Sequence, residues 1–477
     1  MGSFMKLYNT LSRQIEVFAP LEPPLVKLYA CGITAYDFTH LGHLRKYTMD
    51  DVLVRTLRHS GFEVKFVRNV TDVGHLVSDA DTGEDKLEKG AKKYGSSVWE
   101  IAQKFEDYFH YSMDLMNAVR PNITSRATEH VPGQLAMVKK LEQKGFTYVI
   151  EGDGVYFDTS KLKDYGKLAR LDIEGLKEGA RVETVKGKRQ PTDFAVWKFE
   201  RPGEKREMVW ESPWHPRSFP GWHIECSAIS MEHLGEQLDI HTGGVDHIPV
   251  HHTNEIAQSE AVTGKKPFVR FWIHHNFLMV EGQKMSKSLG NVYTIDDLIK
   301  KDYDPMAFRL LLLGAHYRSE LNFTWENMEG TQVAWERLID KVQTFLAQKD
   351  QAGEPTETQL MLEEQYRRRF FDQIENDLKT PSALAVLWEL VDSEQLTIAQ
   401  RYHLLLEFDE VLGLGLAKIE PVEELAVPAK IQNLLQQRQQ ARTDQDWAEA
   451  DRLREQIEQL DWQVIDEASS QRVKKIN

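Results

Sequence analysis

Apolar residues recur with two periods along this chain, and the changes of period outline its architecture. Val26-Lys27-Leu28-Tyr29-Ala30 is a short apolar run that predicts a buried strand, followed by a loop with Gly32 and Thr34. From about Leu41 to His59 apolar positions return every three or four residues, which predicts a helix. After Ser60-Gly61, the run Glu63 to Val70 predicts a second strand. Such a strand–helix–strand start sets the loop after the first strand and the amino end of the helix on one crevice. Free N–H groups and the helix dipole favour anions there, so phosphate is expected to bind.

From about Arg120-Pro121 to Pro220 the pattern changes to short alternating strands, such as Tyr148 to Ile150 and Val155 to Phe157, broken by glycines. This stretch reads as an inserted subdomain. The earlier pattern resumes with a strand Leu238 to His241, the turn Thr242-Gly243-Gly244, a helix near His251 to Val262 and a strand Val269 to His275. Both halves are therefore expected in one sheet. After about Asn327 the chain reads as helical through about Leu416, and a Pro-punctuated linker from Glu420 to Pro428 precedes a final helical pair, Ile431 to Leu460. The fold class expected is α/β, a doubly wound, Rossmann-like domain with an insertion, followed by an all-α region. The limits are 5–120 and 221–326 for the two halves, 121–220 for the insertion, 327–420 for a helical bundle and 428–477 for a small terminal domain.

A length of 477 residues exceeds what one core organises and suggests about three domains. Two cysteines, no apolar run of transmembrane length and no amino-terminal signal pattern predict a cytoplasmic protein without a membrane partner. Residues 1–4 read as extraneous to a native chain that starts at Met5, and Lys6 breaks a myristoylation pattern. A formal charge of −15 excludes a protein that coats nucleic acid indiscriminately, yet leaves room for local basic patches. Candidates are Lys186 to Arg189, Arg367 to Arg369 and Arg472 to Lys475, each of which taken alone reads as a solvated face.

The chemistry concentrates in few places. Cys31 and Cys226 each sit inside a segment that looks like part of a site, and with His251 and Glu255, spaced i,i+4, they form a donor set suited to one zinc ion per chain. His252 also shares a face with Glu255, so spacing leaves the two histidines open. The bland alternative is a pair of inert buried thiols. His40-Leu41-Gly42-His43 opens the first helix, and Lys284-Met285-Ser286-Lys287-Ser288 follows the apolar run Phe277 to Val280. Alone, these read as a capped helix start and a basic loop. No Gly-x-x-x-x-Gly-Lys-Ser/Thr loop is present, which removes the commonest competing NTPase reading.

Together, in this order and flanking an insertion, these two strings resemble the signature motifs of class I aminoacyl-tRNA synthetases. Cys31-Gly32-x-Thr34-x-Tyr36-Asp37, Gly221 to Ser227, Asp239-Ile240-His241 with Gly243-Gly244, and His251-His252 through Ser259 narrow the resemblance to cysteinyl-tRNA synthetases. The resemblance implies cysteine activation with ATP and magnesium, then transfer to cysteine tRNA by a monomer. It implies His40, His43, Lys284 and Lys287 as catalytic groups, and Gly32, Thr34, Gly42, Gly243, Gly244 and Lys287 as ATP-binding. Thr71, Trp222 and Asp246 would shape the cysteine pocket, with Asp246 accepting from the ammonium group. Cys31, Cys226, His251 and Glu255 would bind zinc, to which the substrate thiolate also binds. Negative charge that grows on the α-phosphate and on departing pyrophosphate calls for such fixed cations and N–H donors. A Gly/Ser/Lys-rich loop, Gly282 to Asn291, suits closure over the triphosphate.

The chain departs from the family pattern at Ile33, where Pro is usual, at Thr253, where an acid is usual, and through the segment Val73 to Lys86. The family pattern is also visible in Asp304 to Leu312, His316 to Arg318 and Asp446 to Arg454, which implies that the helical half grips tRNA and reads the anticodon. Trp447 and Trp462 are expected in helix packing. Two alternatives are a ligase that transfers activated cysteine to a small amine and a catalytically silent RNA-binding regulator. The length beyond Lys287 argues against the first, and the intact His40, His43, Lys284 and Lys287 against the second.

Overall fold

The computed structural model describes residues 5–74, 86–171, 185–351, 353–421, 427–466 and 471–475. Most of the divergent segment after Val73 thus lies outside the described residues. The chain divides into two compact units, Met1–Ile419 and Glu420–Asn477.

The first unit is organised by a five-stranded sheet. Its elements are β1 (Leu25–Ala30), α1 (Leu41–His59), β2 (Glu63–Val70), β3 (Ile123–Arg126), α2 (Trp222–Leu234), β4 (Leu238–Gly244), α3 (His251–Thr263) and β5 (Val269–His275). The strand order is β5-β4-β1-β2-β3 and every pairing is parallel, with Leu28 opposite Phe66 on one side and Ile240 on the other. The order reverses between β1 and β4, and a crevice opens at the carboxyl ends of strands at such a switch point. Cys31 follows β1 directly, and Asp246 and His247 follow β4. Val26, Leu28, Phe66, Val70, Ile240 and Ile273 are buried in the sheet, which α1 covers with Leu44, Val52, Leu53 and Leu57. Each such side chain contributes about 1.5–3 kcal/mol on burial.

Strand β3 lies within the stretch whose alternating strands suggested an insertion, and it pairs with β2 as the sheet's edge. The antiparallel sheet comes later, as Thr147–Ile150, Gly154–Phe157, Phe194–Phe199 and Ser218–Pro220 paired in sequence order. Phe157, Phe194 and Trp197 fill its core together with Val138 and Leu141 of a helix, Val131–Gln143. Beyond β5, Leu278–Val280 pairs antiparallel with Gln283–Lys284 and parallel with Leu321–Phe323, which presents the lysine loop from a small sheet.

Four helices follow, Trp325–Gln348, Glu357–Ile374, Thr380–Val391 and Ile398–Leu412. A buried ion pair ties them to α1: Arg309 bonds Asp51, and its other nitrogens donate to the Leu412 and Met116 carbonyls at 2.7 and 2.9 Å. Arg55 also holds Asp51 at 2.9 Å. Removing one partner of a buried pair strands the other in a medium that solvates it poorly. Arg309→Met is therefore expected to cost about 3 kcal/mol, read as a lower denaturant midpoint of the first unit; an unchanged midpoint would assign the tie no stabilising role. The triplet Arg367 to Arg369 is paired locally with Glu363, Glu364, Glu407, Asp372 and Glu389, as befits a solvated face.

The second unit corrects two expectations. It pairs two helices, Ala429–Thr443 and Trp447–Glu458, with a hairpin, Trp462–Asp466 and Gln471–Lys475, so it is not all-α. Its core joins Ile431, Ile457, Trp462 and Val464. Trp462 packs from a strand rather than a helix, and Trp447 is 61% exposed, because it opens its helix on the outer face.

Candidate active site and metal centre

The chain's two thiols meet at the switch point. Cys31 enters from the end of β1 and Cys226 from the first turns of α2, and both are buried and free. Ligand atoms of Cys31, Cys226, His251 and Glu255 all lie within 4.8 Å of one another, and so do those of Cys31, His241, His252 and Glu255. His251 Nε2 is 3.0 Å from Glu255 Oε1, and His241 Nε2 is 3.0 Å from Glu255 Oε2. His252 Nε2 lies 3.3 Å from Cys31 Sγ, while its Nδ1 is engaged by His274 Nε2 at 2.8 Å. All these groups are buried.

The protons of this cluster are unevenly shared. Burial alone raises the Cys31 thiol, but its hydrogen bond with Cys226 and the charges of His252 and His241 bring it well below the ordinary range. Cys226 is driven up by that hydrogen bond and by burial. The two thiols are thus pushed in opposite directions. Burial disfavours the His251 imidazolium, yet Glu255 more than compensates and lifts it to about 10. Two sulfurs, an imidazole and a carboxylate, brought together from the end of β1, from α2 and from one face of α3 and closed off from water, suit a divalent metal that replaces these protons. His241 bonds the far oxygen of Glu255 and so fixes the orientation of that carboxylate.

Beside the cluster is a cavity of about 310 Å³ lined by Cys31, Gly32, Thr34, His40, Gly42, His43, Gly244, Asp246, His247 and Lys284, among others. His40 caps α1, and the two histidines bond reciprocally: the His43 N–H donates to His40 Nδ1 and the His40 N–H to His43 Nδ1, both at 3.3 Å. With Nδ1 accepting, each neutral ring carries its proton on Nε2, and the rings stack at 3.5 Å. Helix cap and site are thus one structure. Gly32 is required by close approach, since a Cβ there would meet the Asn69 carbonyl oxygen at 1.6 Å. A Cβ on Gly42 would meet the Met285 methyl at 2.3 Å, so the lysine loop packs against the histidine motif.

Several expected residues lie outside the cavity lining. Trp222 lies tilted against His251, with ring centroids 4.4 Å apart, and so walls the Cys/His/Glu cluster. Thr71 is buried and accepts from Asn69 Nδ2 at 3.0 Å, while Asn69 Oδ1 accepts from the Gly32 N–H at 2.8 Å. Gly243 packs under His252. Lys284 lies over the Phe277 ring at 4.4 Å, and the Lys287 backbone forms a short turn, Lys287–Leu289, its side chain lying outside the described residues. Asn69, His241, His247 and His274 were not singled out from the sequence as site residues. The His241 and Gly32 neighbourhoods were the available signals, because β1 and β4 carry both motifs side by side.

Residues 17–333 match the family described as tRNA synthetases class I (C) catalytic domain, and residues 426–473 match the cysteinyl-tRNA ligase anticodon binding domain. A methionyl-tRNA synthetase of Mycobacterium tuberculosis, solved with methionyl-adenylate, superposes with a TM-score of 0.56 at 15% identity, over 82% of this chain and 90% of that one. The fold, with its histidine and lysine motifs facing one crevice, is that of the class I aminoacyl-tRNA synthetases. Cysteine–tRNA ligase 1 of Burkholderia lata is 44% identical over 98% of this chain and 96% of its own length. The cysteine–tRNA ligase of Treponema denticola is 40% identical over 99% and 100%. The chain belongs to the cysteine–tRNA ligase family.

Proposed function

We propose that the chain activates cysteine with ATP and magnesium to cysteinyl-adenylate and transfers it to cysteine tRNA, with zinc held by Cys31, Cys226, His251 and Glu255. The observation that carries this reading is the contact between a two-thiol metal donor set and a cavity lined by His40, His43 and Lys284. His251 is preferred over His252 because it completes the set that includes both thiols, while the other His252 nitrogen faces His274. Bound there, zinc would take the substrate thiolate as a further ligand and so separate cysteine from its near-isostere serine, which packing alone separates by only about 100-fold.

The protein's own groups do the rest. Asp246 at the cavity wall accepts from the substrate ammonium, and Trp222 limits the space beside His251. The Nε2–H groups of His40 and His43 donate to phosphate oxygens, and the backbone at Gly32, Gly42 and Gly244 admits the nucleotide closely. Lys284 and Lys287 place charge where pyrophosphate departs. Cysteine-dependent ATP–pyrophosphate exchange, repeated with charging of cysteine tRNA, tests the assignment; exchange driven equally by serine would reject the metal's role. The small-amine and silent-regulator alternatives lack support, given the anticodon-domain match and near full-length relatives.

We assign limits of 5–120, 121–220, 221–326, 327–420 and 428–477 to the domains, with β3 as the part of the insertion span that the parallel sheet takes up. No described helix is long and apolar enough to cross a membrane, and the working form proposed is a cytoplasmic monomer. The second unit would carry anticodon recognition, with the exposed Trp447 offering a face on which an unpaired base stacks. Cutting the chain between 420 and 428 should leave pyrophosphate exchange within about twofold, while tRNA charging falls and becomes more salt-sensitive as phosphate contacts are lost. Unchanged charging efficiency of the shortened protein would deny the second unit an RNA role.

A further inference from the structure

The cavity holds a cation for which neither signature motif accounts. Lys46 lies three residues beyond His43 on α1, lines the cavity and is 13% exposed. Its ammonium donates to the Cys31 carbonyl at 2.7 Å and pairs with Asp50 Oδ2, also at 2.7 Å. Asp50 is wholly buried; His275 Nε2 stands 3.0 Å from its other oxygen, and Arg68 faces it at 3.9 Å. Arg68 in turn lies over the Tyr47 ring at 4.7 Å.

Assembling buried charges in this way is costly, and apolar side chains of similar volume would hold α1 to the sheet at least as well. Helix packing therefore does not explain the network. Among the described residues, its bond to a loop of the site is the one to the Cys31 carbonyl, at the point where the backbone leaves β1 and turns into the cavity. The Cys31 side chain, from the same residue, supplies a sulfur to the donor cluster. Carbonyl and sulfur are two bonds either side of one Cα, so whatever pins the first restricts the second.

We propose that Lys46 is a positioning residue for amino-acid selection: held by Asp50, which His275 braces in turn, it pins the Cys31 carbonyl and thereby fixes the Cys31 sulfur between the metal donor set and the nucleotide cavity. This rests on the reading of Cys31 as a metal ligand. Outer partners that orient metal ligands are worth about 10–100-fold in metal affinity or activity. The effect should fall on cysteine and the metal rather than on ATP, because Lys46 is committed to Cys31 and Asp50.

The test is Lys46→Met, which keeps the length of the side chain and removes its charge, in the full-length protein. Pyrophosphate exchange is measured against cysteine and against ATP separately, and release of bound metal to a chromogenic chelator is timed. The expected result is a KM for cysteine raised about 10–100-fold, a KM for ATP changed less than about threefold, and metal lost about tenfold faster. Because Asp50 is left short of a partner, the double variant Lys46→Met/Asp50→Leu, which removes both charges, is run alongside with circular dichroism as a folding check. It should fold and show the same cysteine-side defect. A raised KM for ATP with unaltered cysteine KM and metal release would make Lys46 a phosphate-binding cation and overturn the proposal, as would wild-type behaviour of both variants. Wild-type protein that purifies active without bound metal would overturn the metal reading first, and this proposal with it.

Discussion

Cys226→Ser is expected to release the metal and to lower kcat/KM for cysteine activation by more than the roughly 10–100-fold that outer partners of metal ligands cost. The substitution changes volume little, so the buried start of α2 should fold unchanged and the loss should be chemical. A serine hydroxyl keeps its proton at neutral pH, whereas the thiol yields its own to a metal. Cys31 then loses its sulfur partner as well, whose hydrogen bond helps to hold its thiol below the ordinary range. Serine should compete better against cysteine in exchange, because what remains is a pocket that distinguishes the two by packing alone. Metal analysis and a cysteine-to-serine competition on the same preparation check this. Full metal content with undiminished preference for cysteine would sink the assignment of Cys226 as a ligand.

The elements that position this site were those whose apolar period was unambiguous. Helix α1 runs Leu41–His59 and β5 runs Val269–His275, as the spacing predicted, because the apolar residues of α1 join one core and those of β5 are buried in the clusters packed against the sheet. Strand β3 is different. Ile123-Thr124-Ser125-Arg126 carries a single large apolar residue, and its place at the sheet's edge is set by pairing with β2, which local pattern cannot reveal. The terminal hairpin was missed for the same reason: Gln471 to Lys475 is largely polar in sequence, with Val473 packed on the small core.

Within the site, the motifs indicated which residues converge but not how densely histidines surround them. His241, His247, His252 and His274 come from β4, the turn after it, α3 and β5, and only the parallel register stacks them around Cys31. Lys46 and Asp50 stand i,i+4 on α1, a spacing that usually marks a solvated helix face. The sheet covers that face here, and His275, far along the chain, completes the network from β5.

Lys287→Ala is expected to lower cysteine-dependent pyrophosphate exchange by about 10²–10³-fold while leaving cysteine binding nearly unchanged. A charge aimed at the reacting phosphates is worth most when negative charge builds on them, so its removal lowers kcat more than it weakens the ground-state complex. The small sheet that carries the lysine loop is separate from the end of β1, α2 and α3, which carry the proposed metal donors, and this is why the two functions should part cleanly. Lys284→Ala should fall in the same direction, since Lys284 reaches the cavity wall from that sheet and rests on Phe277. Its contact with Phe277 also fixes the loop, so a modest rise in KM for ATP should accompany the loss. Pre-steady-state formation of adenylate, measured with saturating cysteine and then with saturating ATP, separates the two variants. A loss of cysteine affinity equal to the loss of rate in Lys287→Ala would move that lysine out of the transition state and into substrate binding.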